Sequence, residues 1–271
     1  MKLRILAAVV LVPLLFVVVF LAPKIVLTIL ISLFCAIASY ELLAVTGLVK
    51  NTRLIAYTAT IAFLMPFWCY FGTNSVLAKV CILVFFVLLF AEILISHGTI
   101  RFDCIAVCVT SGLLIPYLLS ALVRIMGADF GRIYVLLPFV TAFLADSGAY
   151  FIGSKWGRHK FVPNISANKS VEGVIGGLAT SVVGMVVYCL IFQLGFDYRV
   201  NYLFAVIYGV LCAFASVFGD LCFSVIKRQT GIKDYGNLIP GHGGILDRFD
   251  SMIVVAPLVE LLLIFLPVVE K

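Results

Sequence analysis

Apolar residues lie along this chain in long, nearly unbroken runs. They show neither the alternation of a half-buried strand nor the single stripe of a surface helix. Runs of roughly 17–25 residues match helices able to cross about 30 Å of hydrocarbon. About nine are predicted, near 4–22, 25–46, 54–71, 76–95, 104–126, 133–152, 174–195, 202–226 and 252–268. Short polar turns separate the first six, and two longer polar stretches follow, at about 153–173 and 227–251. No repeat, low-complexity tract or soluble domain interrupts the series. The expected fold is an all-α polytopic membrane protein: one integral-membrane domain over 1–271, with N-terminal membrane helices in 1–130 and the helices that carry the long polar loops in 131–271. The basic start, Met1-Lys-Leu-Arg4, resembles a signal peptide, but the apolar run behind it is too long for one and no small-residue cleavage site follows. It is read as a retained first transmembrane helix.

Composition agrees. Hydrophobic residues make up 64% of the chain and charged residues only 12%, about half the usual charged share of a soluble domain. The eight cysteines, Cys35, Cys69, Cys81, Cys104, Cys108, Cys189, Cys212 and Cys222, sit mostly inside apolar runs and form no CxxC pair. They read as small buried hydrophobes, neither disulfides nor zinc ligands. The net charge of +6 belongs to topology and not to nucleic acid. With the N-terminus in the cytoplasm, cytoplasmic segments carry Lys2, Arg4, Lys50, Arg53, Arg101, Lys155, Arg158, Lys160, Lys169, Lys227, Arg228, Lys233 and Arg248. The opposite side carries Lys24, Arg132, Arg199 and Lys271, with Lys79 and Arg124 near that interface. That excess of cytoplasmic cations is the expected asymmetry. It places both long loops in the cytoplasm and the C-terminus opposite.

A few acids lie within the apolar runs. A carboxylate near a helix centre costs about 2.5–3.5 kcal/mol even on lenient insertion scales. Asp146 and Asp220 each fall about seven residues from the cytoplasmic end of their helix, about 10 Å deep at 1.5 Å per residue. Two acids at one depth, each leading into a basic loop, suggest one recessed site. Ser216, Asp220, Ser224 and Lys227 follow at intervals of 4, 4 and 3, so they share a helix face, and Gly219 allows a neighbour to approach closely. Asp146, Tyr150 and Gly153 share another face. The competing reading of both acids is a purely structural role, as an interior ion pair or a water-bound acid. Glu41 and Glu92, near cytoplasmic helix ends, are expected to snorkel outward, and mid-helix Glu260 to have a structural partner. His97 and His159 fall in loops without companion ligands and read as solvated.

The densest chemistry lies in Ser224–Asp250, SVIKRQTGIKDYGNLIPGHGGILDRFD. Glycine lets backbone N–H groups approach a ligand, here at Gly243 and Gly244. Lys169, Lys227, Arg228, Lys233 and Arg248 are candidate phosphate ligands, each with plain interfacial anchoring as the alternative. Acids without a neighbouring cation can hold a hard metal ion. Cations, glycines and carboxylates together suggest a metal–polyphosphate site. His242 could act as a base, but within Pro-Gly-His-Gly-Gly it reads better as a phosphate donor or a loop-shaping residue.

The same stretch resembles a family signature. The pattern S-x-x-K-R-x-x-x-x-K-D followed by P-G-H-G-G-x-x-D-R-x-D, filled here by Ser224, Lys227–Arg228, Lys233–Asp234, Pro240–Gly244, Asp247–Arg248 and Asp250, is that of phosphatidate cytidylyltransferases (CDP-diacylglycerol synthases). Asp146–Tyr150 and Ser166–Gly173 extend the likeness upstream, with one departure: Ala167 stands where the family pattern has proline. The resemblance implies transfer of a cytidylyl group from CTP to phosphatidic acid in the bilayer, with release of pyrophosphate. It implies Asp220 and Asp247 as principal metal ligands, Asp146 and Asp250 as secondary ligands or orienters, and Lys169, Ser224, Lys227, Arg228 and Lys233 on the triphosphate or lipid phosphate. It further implies Mg²⁺, a second cation (divalent or monovalent) in the same site, a homodimer, and a bacterial cytoplasmic membrane with the active site facing the cytoplasm. A CTP-dependent lipid kinase of the dolichol-kinase kind and, less favoured, a secondary transporter are the alternatives. No paired broken helices of the transporter sort are visible.

Overall fold

The computed structural model describes residues 13–72, 76–238 and 243–270, and these are mostly helical. Seven helices among them are long and apolar enough to cross a membrane: α1 Lys24–Val45, α2 Thr52–Phe71, α3 Val76–Ile95, α4 Phe102–Gly127, α5 Gly131–Trp156, α6 Val171–Phe196 and α7 Tyr202–Gln229. The helix starts follow local chemistry. Pro23 precedes α1, the Asn51 side chain accepts from the Arg53 and Leu54 N–H groups at the head of α2, and Ser170 accepts from Gly173 at the head of α6. Gly72, with a positive φ of 105°, ends α2.

Two expected spans differ from this set. The one near 4–22 falls partly outside the described residues; its remainder is helical and closes in a π-helical turn at Val17–Leu21. The one near 252–268 is a helix of 14 residues, Met252–Phe265, with Pro257 inside it. That is shorter than the roughly 20 residues a crossing needs. A further short helix, Leu246–Phe249, becomes α8 and Met252–Phe265 becomes α9. The chain is also not wholly helical. Strands β1 (Lys160–Val162) and β2 (Ser166–Ser170) form an antiparallel hairpin inside the first long polar stretch, and β3 (Arg199–Val200) pairs with β4 (Val269–Glu270). Apolar period identifies spans, but ladders this short are fixed by turn and pairing, which hydropathy does not register.

The described residues form two compact units, one within Met1–Gly127 and Lys227–Phe249, the other within Ala128–Ile226 and Asp250–Lys271. The core of the first joins α1 to α4 through Leu43, Leu54, Ile61, Trp68, Phe85, Leu89, Ile105 and Cys108. A hydroxyl pair, Ser111 to Ser39 at 2.9 Å, adds a polar tie between α4 and α1. Helix α3 buries only one stripe, Ala78, Phe85, Leu89 and Glu92, and presents Val80, Leu83, Phe86, Val87 and Leu94 outward. Lipid, not water, suits such a face. Two acids of this unit do not snorkel. Glu92 is 6% exposed, with Arg53 at 3.6 Å, the Asn51 amide at 3.3 Å and the Tyr57 hydroxyl at 3.5 Å. Glu41 is 3% exposed and accepts two backbone N–H groups from the polar stretch that returns to this unit after Lys227. In both, neighbouring donors satisfy the carboxylate oxygens inside the fold.

The second unit is built on close contact of α5 with α6. Small residues line the seam: a Cβ on Gly148 would overlap the Thr180 side chain, and one on Gly177 would lie 2.5 Å from the Ala145 carbonyl oxygen. Such steps let backbones approach where no hydrophobic effect drives them together. Tyr134 donates its hydroxyl to the Val269 carbonyl at 2.7 Å and Tyr208 to that of Leu266 at 3.1 Å, fixing the end of the chain. Gly219 meets the backbone of Asp250 and Ser251, as its place beside Asp220 led one to expect; a Cβ there would sit 2.7 Å from the Asp250 carbonyl. All eight cysteines are free thiols.

Candidate functional site

Helix α7 carries Ser216, Asp220 and Ser224 in the second unit and Lys227 in the first. Within the second unit, Ser224 Oγ donates to Asp220 Oδ1 at 3.1 Å and Lys169 Nζ lies 2.6 Å from Asp220 Oδ2. Lys169 reaches α7 from β2, so the hairpin delivers the upstream motif to this acid. Ser216 Oγ donates to Asp146 Oδ1 at 3.2 Å, which ties α5 to α7. Asp220 keeps 31% of its side chain exposed. Asp250 is buried, with the Ser251 N–H donated to its Oδ1 at 2.7 Å, and Ser251 Oγ donates to the Ser216 carbonyl at 3.1 Å.

Within the first unit, Lys227 Nζ pairs with Asp247 Oδ1 at 2.8 Å, with the two side chains only 13% and 3% exposed. The ammonium also stands 5.4 Å from the centre of the Tyr235 ring. Asp247 Oδ2 accepts the Tyr235 N–H at 2.7 Å and the Gly244 N–H at 3.0 Å. Gly243 takes a positive φ of 85°, and a Cβ on it would crowd Asp247 Oδ2 at 2.8 Å, so glycine is needed there twice over. The Gly244 amide, expected to face a ligand, is committed to Asp247.

The sequence-expected residues therefore divide. Lys227 joins Asp247; Lys169 and Ser224 join Asp220; Asp146 joins Ser216. Arg228, Lys233 and Arg248 are exposed, and Lys233 and Arg248 make no ion pair among the described residues. Lys233 and Arg248 remain available to a mobile anion. His242 and Pro240 lie outside the described residues. His159, read as solvated and without companions, pairs through Nδ1 with Glu172 at 2.6 Å. Glu172 also accepts the Arg158 and His159 N–H groups and so fastens the hairpin to the head of α6.

The residue missed from sequence is Glu41. Its Oε1 accepts from Ile245 N at 3.0 Å and its Oε2 from Leu246 N at 2.8 Å, immediately before Asp247. Nothing in an acid near a helix end announces backbone partners 204 and 205 positions away.

Metal fit follows from the donor set. Among the described residues no three of His, Cys, Asp and Glu converge as a protein-only cage. Mg²⁺ does not ask for one; it binds through one or two carboxylates, with phosphates and water completing the shell. Asp220 and Asp247 are hard oxygen donors, each with an ammonium already at contact distance. Each carboxylate has about four lone-pair positions, and these contacts leave some open. Both acids thus depart from the expected carboxylate without a neighbouring cation: each already faces an ammonium, as in the competing ion-pair reading, and a metal would have to share the carboxylate with it.

Residues 2–266 match the sequence model of the cytidylyltransferase family. The chain is 36% identical over 271 residues, 97% of each sequence, to the phosphatidate cytidylyltransferase of Bacillus subtilis. It is 45% identical over 134 residues, 49% of this chain and 50% of the relative, to the protein of the same name from Staphylococcus aureus, and 42% over an equal length to that of Staphylococcus haemolyticus.

Proposed function

The chain belongs to the cytidylyltransferase family, and from that premise we propose how its residues transfer a cytidylyl group from CTP to phosphatidic acid, giving CDP-diacylglycerol and pyrophosphate. The observation that carries the assignment of residues is the buried Lys227–Asp247 pair, locked by a loop whose sequence fills the family signature. An oxygen of the lipid phosphate attacks the α-phosphorus of CTP, and the bond to the pyrophosphate oxygen breaks. The attacking phosphate is already ionised at neutral pH, so no side chain has to remove a proton. The obstacles are repulsion between two anions and charge building on the leaving group.

Lysine and arginine side chains address both obstacles by fixed positive charge. Lys227 and Lys169 are held in place by their carboxylates; exposed Arg228, Lys233 and Arg248 gather phosphate oxygens at the loop. Ser224 adds a hydroxyl on the same helix face as Lys227. Gly243 shapes the loop, Gly244 orients Asp247, and His242 is retained as a phosphate donor. Asp220 and Asp247 are proposed as the metal ligands, with Asp146 and Asp250 as orienters of the neighbouring groups. Mg²⁺ held there would screen the triphosphate and stabilise the departing pyrophosphate, and a second cation would add to that screening.

Charge distribution supports the placement. The excess of lysine and arginine in the loops at one end of the spans argues for a cytoplasmic N-terminus and a nucleotide site on the cytoplasmic side of a bacterial membrane. A homodimer is proposed on family resemblance alone. The test of the function is a purified-protein assay with phosphatidic acid, CTP and Mg²⁺ that identifies the small product. Pyrophosphate is the expected product; CDP would point to lipid phosphorylation instead.

A further inference from the structure

Glu41 is a buried acid with an unusual set of neighbours. It begins a π-helical turn, Glu41–Val45, in the last part of α1, and such turns are frequent at functional positions. Its contacts among the described residues are the Ile245 and Leu246 N–H groups, with no cation facing it. The carboxylate also lies beneath two loop glycines: a Cβ on Gly236 would stand 2.6 Å from Glu41 Oε1, and one on Gly244 would overlap both oxygens. A carboxylate buried without a cation is costly, and packing alone would be better served by an apolar side chain.

Its effect is on Asp247. Three consecutive N–H groups are all taken by carboxylates: Gly244 by Asp247, and Ile245 and Leu246 by Glu41. Phe34 of α1 packs on Phe249 at 4.9 Å between ring centres, so both ends of α8 are referred to α1. We propose that Glu41 is a positioning residue for Asp247: by accepting two adjacent backbone N–H groups, it fixes the turn that aims the Asp247 carboxylate at Lys227 and at the ligand. The proposal rests on the reading of Asp247 as an active-site acid. It requires a carboxylate in particular. Glutamine offers one acceptor oxygen and turns an NH₂ toward the other N–H.

The test uses full-length Glu41→Gln and Gly236→Ala in detergent, with kinetics expressed per folded molecule. Gly236→Ala keeps the charge of Glu41 but drives the loop backbone off it. Both variants should lose about tenfold or more in kcat/KM, the usual range for a residue that orients a ligand from behind, and should need more Mg²⁺ for half-maximal rate. Hydrogen exchange at Ile245 and Leu246, which needs no activity, should quicken in Glu41→Gln. A purely structural glutamate would lower the melting temperature and leave the Mg²⁺ dependence of the folded fraction alone; that result overturns the proposal, as does unchanged exchange at both amides. Should Glu41→Gln not fold, wild-type kinetics in Gly236→Ala would overturn it equally. If the wild-type protein itself releases no pyrophosphate, the reading of the reaction fails, while the exchange result still decides what Glu41 holds.

Discussion

Lys227 and Asp247 form an ion pair inside the fold, 2.8 Å apart. Their side chains are 13% and 3% exposed, so removing one partner leaves an uncompensated charge inside. Breaking a buried pair in this way costs about 3–5 kcal/mol. Lys227→Ala should therefore lower the melting temperature as well as the rate, while Lys227→Ala combined with Asp247→Asn should recover most of the stability and none of the activity. Thermal melts and pyrophosphate release on the same preparations check this; recovery of turnover in the double variant would reduce the pair to a structural one. Both residues stood out as candidates because cations, acids and glycines crowd into one stretch of an otherwise apolar chain, but their pairing with each other was not foreseen. Glu41 was not. Its partners are peptide N–H groups, which every residue but proline has, so no side-chain pattern marks them.

At the scale of elements, α5 and α6 show what hydropathy captures and what it leaves out. Their existence followed from apolar length alone. Their mutual fit depends on steps such as Gly148 against Thr180, where a Cβ would overlap the threonine side chain. Gly148→Ala should cost about 1–3 kcal/mol by overpacking, and adding Thr180→Gly should return part of it. The comparison is thermal or denaturant unfolding of the single and double variants in one detergent; a single variant as stable as wild type would mean that the seam is looser than described. The polar stretch at 153–173 was read as a loop, yet α5 runs to Trp156, a hairpin follows, and α6 starts at Val171. Lys169 reaches Asp220 only because β2 holds it there, a placement no helical period could reveal.

For the whole molecule, the distribution of positive charge predicts that the hairpin turn and the signature loop face the cytoplasm. Cysteines placed at exposed Asn164 and Asn237, in a background lacking the native eight, should react with an impermeant thiol reagent from that face only; labelling from opposite faces would break the topology. The claim at the centre is that Asp220 and Asp247 serve cytidylyl transfer by holding positive charge against two anionic substrates. Asp220 tests it most cleanly, because its side chain is 31% exposed and asparagine should be tolerated by the fold. The measurement is steady-state pyrophosphate release across a Mg²⁺ titration for wild type, Asp220→Asn, Asp247→Asn and the double variant, with size-exclusion and melting controls. Each single variant should lose about 10²-fold or more, the scale of removing a strong electrostatic stabiliser, with some recovery at high Mg²⁺. The double variant should be far less impaired than the product of the two losses, as in other groups that act as a unit. A well-folded Asp220→Asn protein with near wild-type turnover and an unchanged Mg²⁺ dependence would contradict the claim.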